Sequence, residues 1–167
     1  MPVYMYDPPE RFVAGSVGQP GERTFYLQAA SQGRVTSVSL EKFQVSLLAE
    51  RLDELLDEVL RRSGGSPEVP AATPAGLQDD GPLDMPVLED FRVGAIALAW
   101  DSDENRVVIE AQEATEEPVE PLAEEVPVDG PGVLRVRITP GAARAFAQRA
   151  LAVVAADGRR ARYAGCR

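Results

Sequence analysis

The sequence contains no histidine, and this absence excludes more chemistry than any other feature of its 167 residues. A Ser-His-Asp triad, a Cys-His pair, a phosphohistidine and a histidine-ligated metal site are all impossible within these residues. Histidine is also the commonest proton carrier of enzymes that work near neutral pH. We therefore expect a protein that binds rather than one that catalyses. Any catalysis would depend on Asp, Glu, Arg, Tyr or the single lysine, Lys42.

Cysteine and long apolar runs are almost as scarce. The single cysteine, Cys166, cannot form an internal disulfide bond, and disulfides are typical of secreted proteins. No stretch approaches the roughly 20 consecutive apolar residues that span a bilayer. The first residues, MPVYMYDPPERF, lack the basic start and the apolar run of a signal peptide. We therefore expect a cytoplasmic protein that does not contact a membrane and holds no metal and no cofactor.

The net charge of −10 is unevenly distributed along the chain. Residues 66–130 hold 17 acidic and 2 basic side chains, whereas residues 131–167 hold 1 acidic and 8 basic ones. The acidic middle repels nucleic acids, so we do not expect the whole domain to bind one. The basic end either binds an anion or lies against the acidic middle, and the sequence leaves both interpretations open.

Periodicity predicts three strands followed by a helix in the first half, residues 1–65. Residues 11–17, 23–31 and 33–40 are rich in β-branched and aromatic side chains, as strands are. A helix is expected after a cap at Ser39, with its end at Ser63-Gly64-Gly65. Its apolar stripe recurs at helical spacing and comprises Leu40, Phe43, Leu47, Leu48, Leu52, Leu55, Leu56, Val59 and Leu60.

The second half, residues 89–156, has the same predicted order of elements, which suggests an internal repeat. Strands are expected at 91–102, 105–114 and 133–139, and a helix capped by Thr139 is expected to end at Asp157-Gly158. The remaining segments are a proline-rich acidic linker (66–88), an acidic loop (115–132) and a basic tail (157–167). We predict one compact α+β domain with two long helices packed on a mostly antiparallel sheet, or on two such sheets. The sheet would be built from two strand-strand-strand-helix halves.

Three glycines, Gly15, Gly18 and Gly21, lie in the stretch RFVAGSVGQPGERTFYLQA and raise the question of a phosphate-binding loop. A Walker loop needs a lysine after its last glycine, and both it and a dinucleotide loop lead into a helix. Here no lysine follows, and ERTFYLQA is typical of a strand. We therefore predict a hairpin whose tip is a type II turn, with Pro20 at its second position and Gly21 at its third.

Two further patterns are interpreted as structural. The stretch DSDENR at 101–106 begins like a calcium loop, but Arg106 and Gln112 stand where the pattern needs Gly and Glu. A solvated hairpin turn is the better interpretation. A buried lysine in the place of Lys42 could form Schiff bases. Because nothing in the sequence indicates that Lys42 is desolvated, we interpret it as a surface lysine.

Four ordered stretches carry a family resemblance: RFVAGSVGQPGERTFYLQA, SLEKFQVSLLAERLDELLDEV, FRVGAIALAWDSDENRVVIEA and RVRITPGAARAFAQRALAVVAA. They resemble the actinobacterial domain-of-unknown-function family 3090, over nearly all of the chain except the linker, the acidic loop and the tail. The resemblance implies no established activity. Genes of that family often lie beside genes for a phosphatase-like and a kinase-like protein, so the resemblance implies these two as possible protein partners.

The tail departs from the family that the chain resembles. Members usually end in a Cys-x-x-Cys segment followed by His and Cys, which is similar to a zinc knuckle. The tail DGRRARYAGCR has one cysteine and no histidine, so it cannot supply four zinc ligands. Either this member lacks the segment, or the end of the chain is read in a shifted frame. We expect no zinc in this chain.

Arginine is the best candidate for a contact residue, because its planar fork suits carboxylates and phosphates. We expect a non-catalytic binding or adaptor module that recognises a protein partner or a small anion. The candidate contacts are Arg11, Arg23, Arg92, Arg135 and Arg137, although for each one alone a surface ion pair is the simpler interpretation. The alternatives are a carboxylate-based enzyme for a phosphorylated or glycosylated metabolite and weak nucleic-acid binding through the basic tail. We expect a recognition surface first near Arg23, beside the glycine turn.

Overall fold

The computed structural model describes residues 2–64, 69–117, 119–127 and 129–165, with side chains as far as Asp157. In chain order they form the following elements: β1 (Val3–Tyr6), β2 (Arg11–Val17), β3 (Thr24–Ser31), β4 (Arg34–Leu40), α1 (Lys42–Arg62), β5 (Glu89–Asp101), β6 (Arg106–Glu113), β7 (Val133–Ile138) and α2 (Pro140–Gly165). After β1, the order strand-strand-strand-helix occurs twice. Neither helix of this described part has the length and apolar character that crossing a membrane requires.

The strands form one seven-stranded sheet in the order β1-β7-β6-β5-β4-β3-β2. The predicted α+β class with two long helices is confirmed, but the prediction of a mostly antiparallel sheet is wrong, because the sheet is mixed. Strand β4 pairs in parallel with β5, and β1 pairs in parallel with β7. The chain returns through α1 and the following segment after β4, so β5 starts at the same end of the sheet and runs in the same direction.

Strand β1 and the end of helix α2 differ from the sequence-based expectation. Strand β1 was not predicted, since its four residues have no partner nearby in sequence; Val3 pairs with Val133 of β7. Helix α2 does not end at Asp157 but continues to Gly165. A glycine inside a helix costs only about 1 kcal/mol relative to alanine, and the Ala- and Arg-rich residues around Gly158 are good helix formers.

The tip of the β2–β3 hairpin confirms the predicted turn. The Glu22 N–H donates to the carbonyl oxygen of Gln19 at 2.9 Å, and Gly21 has a φ of 85°. These are the bond and the positive φ of a type II turn with Pro20 and Gly21 at its centre. The glycine stretch is therefore a turn between two strands, as the missing lysine and the following strand-like residues predicted.

The core lies between one face of the sheet and the two helices. Cross-strand neighbours Ala14, Leu27, Val38 and Phe91 form one buried row across β2, β3, β4 and β5. The helices contribute the buried residues Val45, Leu48, Ala49, Leu52 and Leu56 from α1 and Ala143, Phe146, Ala147 and Ala150 from α2. The alanines of α2 allow close packing, and Phe146 stacks on Phe12 of β2 with ring centroids 4.5 Å apart.

Part of the predicted apolar stripe of α1 remains at the surface. Phe43 is 67% exposed and Leu47 is 45% exposed, and both line a shallow groove with Ile96 and Leu98 of β5. The helix begins two residues later than expected, with Glu41 rather than Ser39 as its N-cap. The apolar stripe predicted for α1 is therefore wider than the part of this helix that packs against the sheet and α2.

Irregular segments cover parts of the opposite face of the sheet. The described part of the expected linker, residues 69–88, contains no helix or strand, yet Leu83 is buried against Gly15 of β2. A Cβ on Gly15 would lie 2.6 Å from the Leu83 side chain, so this position requires glycine. In the acidic loop, the Leu122 N–H donates to the buried Glu110 of β6 at 2.7 Å.

Candidate functional site

One open cavity is lined by two of the five arginines that the sequence identifies as candidate contacts, Arg23 and Arg92. It lies where the β2–β3 hairpin tip, the start of α1, β5 and the α2 residue Asp157 meet, and its volume is about 300 Å³. We name it the cationic pocket, and its lining residues are Gly21, Arg23, Thr24, Phe25, Ser39, Leu40, Glu41, Lys42, Arg92 and Asp157.

Strand pairing explains why these residues meet. Phe25 pairs with Leu40, and Ser39 pairs with Arg92, so the start of β3, the end of β4 and the early part of β5 lie side by side. Lys42 is the first residue of α1, which begins directly beyond the end of β4. The turn, the helix start and Arg92 therefore lie at one end of three neighbouring strands.

Arg23 is the most enclosed cation of the pocket, with a side chain that is 13% exposed. Its Nη1 donates to Ser16 Oγ at 3.3 Å, and its Nε lies 3.5 Å from Oδ1 of Asp157. The contact with Asp157 is an ion pair without hydrogen-bond geometry, and the buried Nε has no hydrogen-bond partner among the described residues. Leaving a buried donor unpaired costs about 1–3 kcal/mol, so Arg23 keeps a donor that favours a further acceptor.

Asp157 is the buried counter-ion of the pocket. Lys42 Nζ donates to its Oδ2 at 3.0 Å, and the Gly21 N–H donates to its Oδ1 at 3.3 Å. Burial by itself raises the pKa of this carboxyl, but the hydrogen bonds from Lys42 and Gly21 outweigh burial and hold the pKa below the usual aspartate range. Asp157 is therefore ionised at neutral pH, and it connects α2 to both the hairpin tip and α1.

Arg92 lies at the mouth of the pocket. Its side chain is 65% exposed, and it donates through Nη2 to the carboxylate of Glu41. Glu41 is held there as the N-cap of α1, because its backbone N–H donates to Oε1 of Gln44 at 2.7 Å. Exposed ion pairs of this kind contribute at most about 1 kcal/mol, so Arg92 can exchange Glu41 for a ligand at little cost.

Positive charge is in local excess in the pocket. The cations Arg23, Lys42 and Arg92 face the carboxylates of Glu41 and Asp157, within a chain whose net charge is −10. The start of α1 adds the partial positive charge of a helix N-terminus. The arrangement is suited to holding an oxyanion, with one guanidinium inside and another at the entrance.

Arg135 is not in this pocket, because it forms a buried ion pair on the outer face of the sheet. Its Nε and Nη2 both donate to Oε1 of Glu110, at 3.0 and 2.6 Å, and Nη2 also donates to the Ala123 carbonyl at 2.7 Å. The Glu110 side chain is only 2% exposed. This arginine anchors the acidic loop to β6 and β7 and has its donors directed into the protein.

Arg11 has a similar anchoring position on β2. It donates to both carboxylate oxygens of Asp79, at 2.7 and 3.1 Å, and to the carbonyl oxygens of Gly81 and Pro82. Its hydrogen bonds hold the pKa of Asp79 below the usual aspartate range. Arg149 of α2 reaches the same carboxylate at 3.3 Å, so this cluster fastens residues 79–82 along the edge of the sheet.

Arg137 stabilises the β5–β6 hairpin tip, which confirms the turn predicted for DSDENR. It donates to Asp101 and Glu104, and Asp101 also accepts the N–H of Asp103 at 2.9 Å. The Asp101 carboxylate is therefore hydrogen-bonded within the hairpin turn. Among the residues that the structure describes, no group of three or more His, Cys, Asp or Glu side chains could hold a metal ion.

Two charged residues of the pocket, Lys42 and Asp157, are not among the contact residues predicted from the sequence. The Lys42 side chain is 40% exposed, which agrees with a surface lysine, but its Nζ also donates to a carboxylate 115 positions away. Asp157 was assigned only to a helix end. One signal could have identified it, since Asp157 is the single acidic residue between positions 131 and 167. An isolated carboxylate among eight basic residues is a candidate partner for a cation elsewhere in the fold.

Comparison with known proteins identifies the family but no activity. The family model described as protein of unknown function (DUF3090) matches residues 4–166, which confirms the resemblance carried by the four sequence stretches. No curated protein and no solved structure matches the chain significantly.

Proposed function

The chain belongs to the DUF3090 family of proteins of unknown function, and we propose that it is a binding module that holds a small anionic ligand in the cationic pocket. The convergence of Arg23, Lys42 and Arg92 on one open cavity carries this proposal. Arg11, Arg135 and Arg137 are directed into carboxylates and carbonyls of the chain itself. Of the five candidate arginines, only Arg23 and Arg92 are therefore proposed as ligand contacts, and Lys42 is proposed as a third contact.

The size and the lining of the pocket favour a small, strongly polar ligand. Its volume of about 300 Å³ lies at the lower end of the range for small-molecule sites. Besides the cations, the hydroxyl-bearing residues Thr24 and Ser39 line its wall. A phosphate or carboxylate group with a short substituent suits these dimensions, and the guanidinium of Arg23 provides a donor that has no acceptor among the residues that the structure describes.

The chemistry of the pocket favours binding without catalysis. A carboxylate-based enzyme needs a carboxyl whose pKa is raised, so that it can donate a proton near neutral pH. Asp157 has a lowered pKa, and its two oxygens accept hydrogen bonds from Lys42 and Gly21. This carboxyl therefore acts as a counter-ion in the proposal, and the bound anion leaves unchanged.

Titration with inorganic phosphate tests the proposal. We expect saturable binding, seen as shifts of the Gly21 and Arg23 backbone amide signals in ¹⁵N–¹H NMR spectra. Arg23→Gln and Arg92→Gln should each weaken binding by about tenfold or more, since charge-assisted hydrogen bonds contribute about 1.5–3 kcal/mol each.

Arg61→Gln is the matched control, because Arg61 is also an arginine of the first half but is 72% exposed at the far end of α1. It should leave phosphate affinity unchanged. Equal losses in all three variants would mean that phosphate responds only to net charge, and the proposal would then be wrong. Absence of saturable binding to the wild-type chain by phosphate and by small carboxylates would also overturn it.

A further inference from the structure

Asp157 occupies the position in the cationic pocket that suits the charged group of a ligand. Its oxygens contact an amide of a glycine turn, a guanidinium and an ammonium group: Gly21 N–H at 3.3 Å, Arg23 Nε at 3.5 Å and Lys42 Nζ at 3.0 Å. Donors of these three kinds are the ones that bind phosphates and carboxylates in proteins. The carboxylate comes from α2, whereas all three donors come from the β2–β3 hairpin and α1.

The carboxylate fits these donors incompletely. Hydrogen bonds from an N–H to an oxygen are usually near 2.9–3.0 Å, and the Gly21 contact is longer at 3.3 Å. The Arg23 Nε contact lacks hydrogen-bond geometry, so this buried donor is unpaired among the described residues. A planar group with two oxygens reaches the amide and Lys42 but leaves the guanidinium unsatisfied. A tetrahedral group with a third oxygen can serve all three.

We infer that Asp157 is an internal competitor in the anion site and that the natural ligand is a tetrahedral dianion of the phosphate monoester class, which displaces it. The inference rests on the proposed function. On binding, the ligand takes the donors of Gly21, Arg23 and Lys42, and the Asp157 side chain turns away from them. The positive charge of the pocket is therefore neutralised by Asp157 in the free chain and by the ligand in the bound chain.

The greater charge and the third acceptor oxygen of a phosphate monoester favour it over a monocarboxylate as the group that displaces Asp157. Groups within one chain compete at effective concentrations of about millimolar or higher, so a free carboxylate gains nothing by replacing the carboxylate of Asp157. A phosphate monoester carries about −1.5 to −2 charges at pH 7 and three acceptor oxygens. Its additional charge and oxygen bond the unsatisfied Arg23 and reach Arg92 at the mouth, which compensates for the displaced contact.

The experiment compares wild-type chain with Asp157→Asn, using inorganic phosphate, methyl phosphate and acetate as probes. Wild-type chain should bind both phosphates and show no saturable acetate binding. Asp157→Asn should bind the phosphates about tenfold more tightly and should bind acetate measurably, because simple competition lowers the affinity of every anion by the same factor. Asp103→Asn, which removes an exposed carboxylate at the β5–β6 tip, is the control and should change none of the three affinities.

The outcomes separate this inference from the proposed function. If wild-type chain binds phosphate and Asp157→Asn binds it no more tightly, Asp157 is not a competitor, while the anion site stands. If the substitution strengthens phosphate binding but acetate still does not bind measurably, the gain for every anion that competition requires is absent and the inference is wrong. A second measurement uses the wild-type chain alone. Phosphate should shift the ¹³C NMR signal of the Asp157 carboxylate. A signal that does not move in the phosphate-bound chain contradicts displacement. If no anion binds, both proposals fail.

Discussion

Arg135 and Arg23 both neighbour a buried carboxylate, but the chain completes only one of the two sites. Arg135 donates twice to Glu110 and once to a loop carbonyl, and the Leu122 amide also bonds Glu110. Arg23 keeps a buried Nε with no hydrogen-bond partner in the described part of the chain, and its neighbour Asp157 borders an open cavity. Arg135, whose hydrogen bonds are all to groups of the chain, stabilises the fold. Arg23, which has an unpaired N–H among the described residues beside a cavity, is suited to binding a ligand.

The largest effect is expected where the ion pair is complete. Arg135→Leu leaves Glu110, which is 2% exposed, as a buried charge without its cation. Such uncompensated charges destabilise proteins by about 3–5 kcal/mol, and urea denaturation should show a loss of this size at pH 7. Arg61→Gln should stay within about 0.5 kcal/mol of the wild type, as exposed substitutions do.

A double substitution keeps this prediction testable if Arg135→Leu does not fold. Glu110→Leu combined with Arg135→Leu removes both charges at once, and it should recover much of the lost stability, since apolar pairs often replace buried ion pairs at little cost. A double variant that is less stable than the single one would show that the charge of Glu110 is not the source of the loss.

An intermediate effect is expected at the cluster that fastens residues 79–82. Asp79→Asn removes the carboxylate shared by Arg11 and Arg149, whose remaining bonds to carbonyl oxygens persist. We expect a loss of about 1–3 kcal/mol in the free energy of unfolding, as for hydrogen bonds to charged groups. The control is Asp80→Asn, the exposed neighbour, which should change stability by less than about 0.5 kcal/mol. Equal effects of the two substitutions would contradict the assigned role of Asp79.

The sequence predicts the features that depend on neighbouring residues. The turn at Gln19-Pro20-Gly21 and the helical spacing in α1 are local patterns, and both are present in the structure. The parallel pairing of β1 with β7 joins residues 130 positions apart, for example Val3 and Val133, and no local pattern encodes it. The result is a mixed sheet where a mostly antiparallel one was expected.

The residues of the candidate site also divide into those that local sequence patterns indicate and those that only the fold brings together. Alternation along β7 places Arg135 and Arg137 on one face, but it does not reveal that the acidic loop covers the first of them. Arg23 was the expected centre of a recognition surface because it follows the glycine turn. Lys42 and Asp157 could not be paired from sequence, since their contact depends on α2 packing beside α1.

The smallest effect is expected from the pH dependence of the pocket itself. The pKa of Asp157 is lowered in the folded chain, because the hydrogen bonds of Lys42 and Gly21 outweigh its burial. A lowered folded-state pKa means that this carboxylate adds stability above its unfolded-state pKa of about 3.9 and that the contribution disappears as the pH falls through the folded-state value. Asp157→Asn keeps an oxygen that can accept from the Gly21 N–H, and Lys42, whose side chain is 40% exposed, can turn to water. Denaturation of wild-type chain and Asp157→Asn should therefore differ by about 1 kcal/mol at pH 7, as for one hydrogen bond, and the difference should shrink below about pH 4.

A difference that stays constant between neutral and acidic pH would show that Asp157 contributes through packing rather than through its charge. The small expected size matters for the comparison with Glu110. A counter-ion whose removal costs little can give up its donors to a ligand, because the ligand then has only a weak internal contact to replace. Glu110 is held more completely, since Arg135 donates to it twice and the Leu122 amide donates to it at 2.7 Å. Glu110 therefore holds the fold together, whereas in the proposed function Asp157 neutralises the binding site until a ligand displaces it.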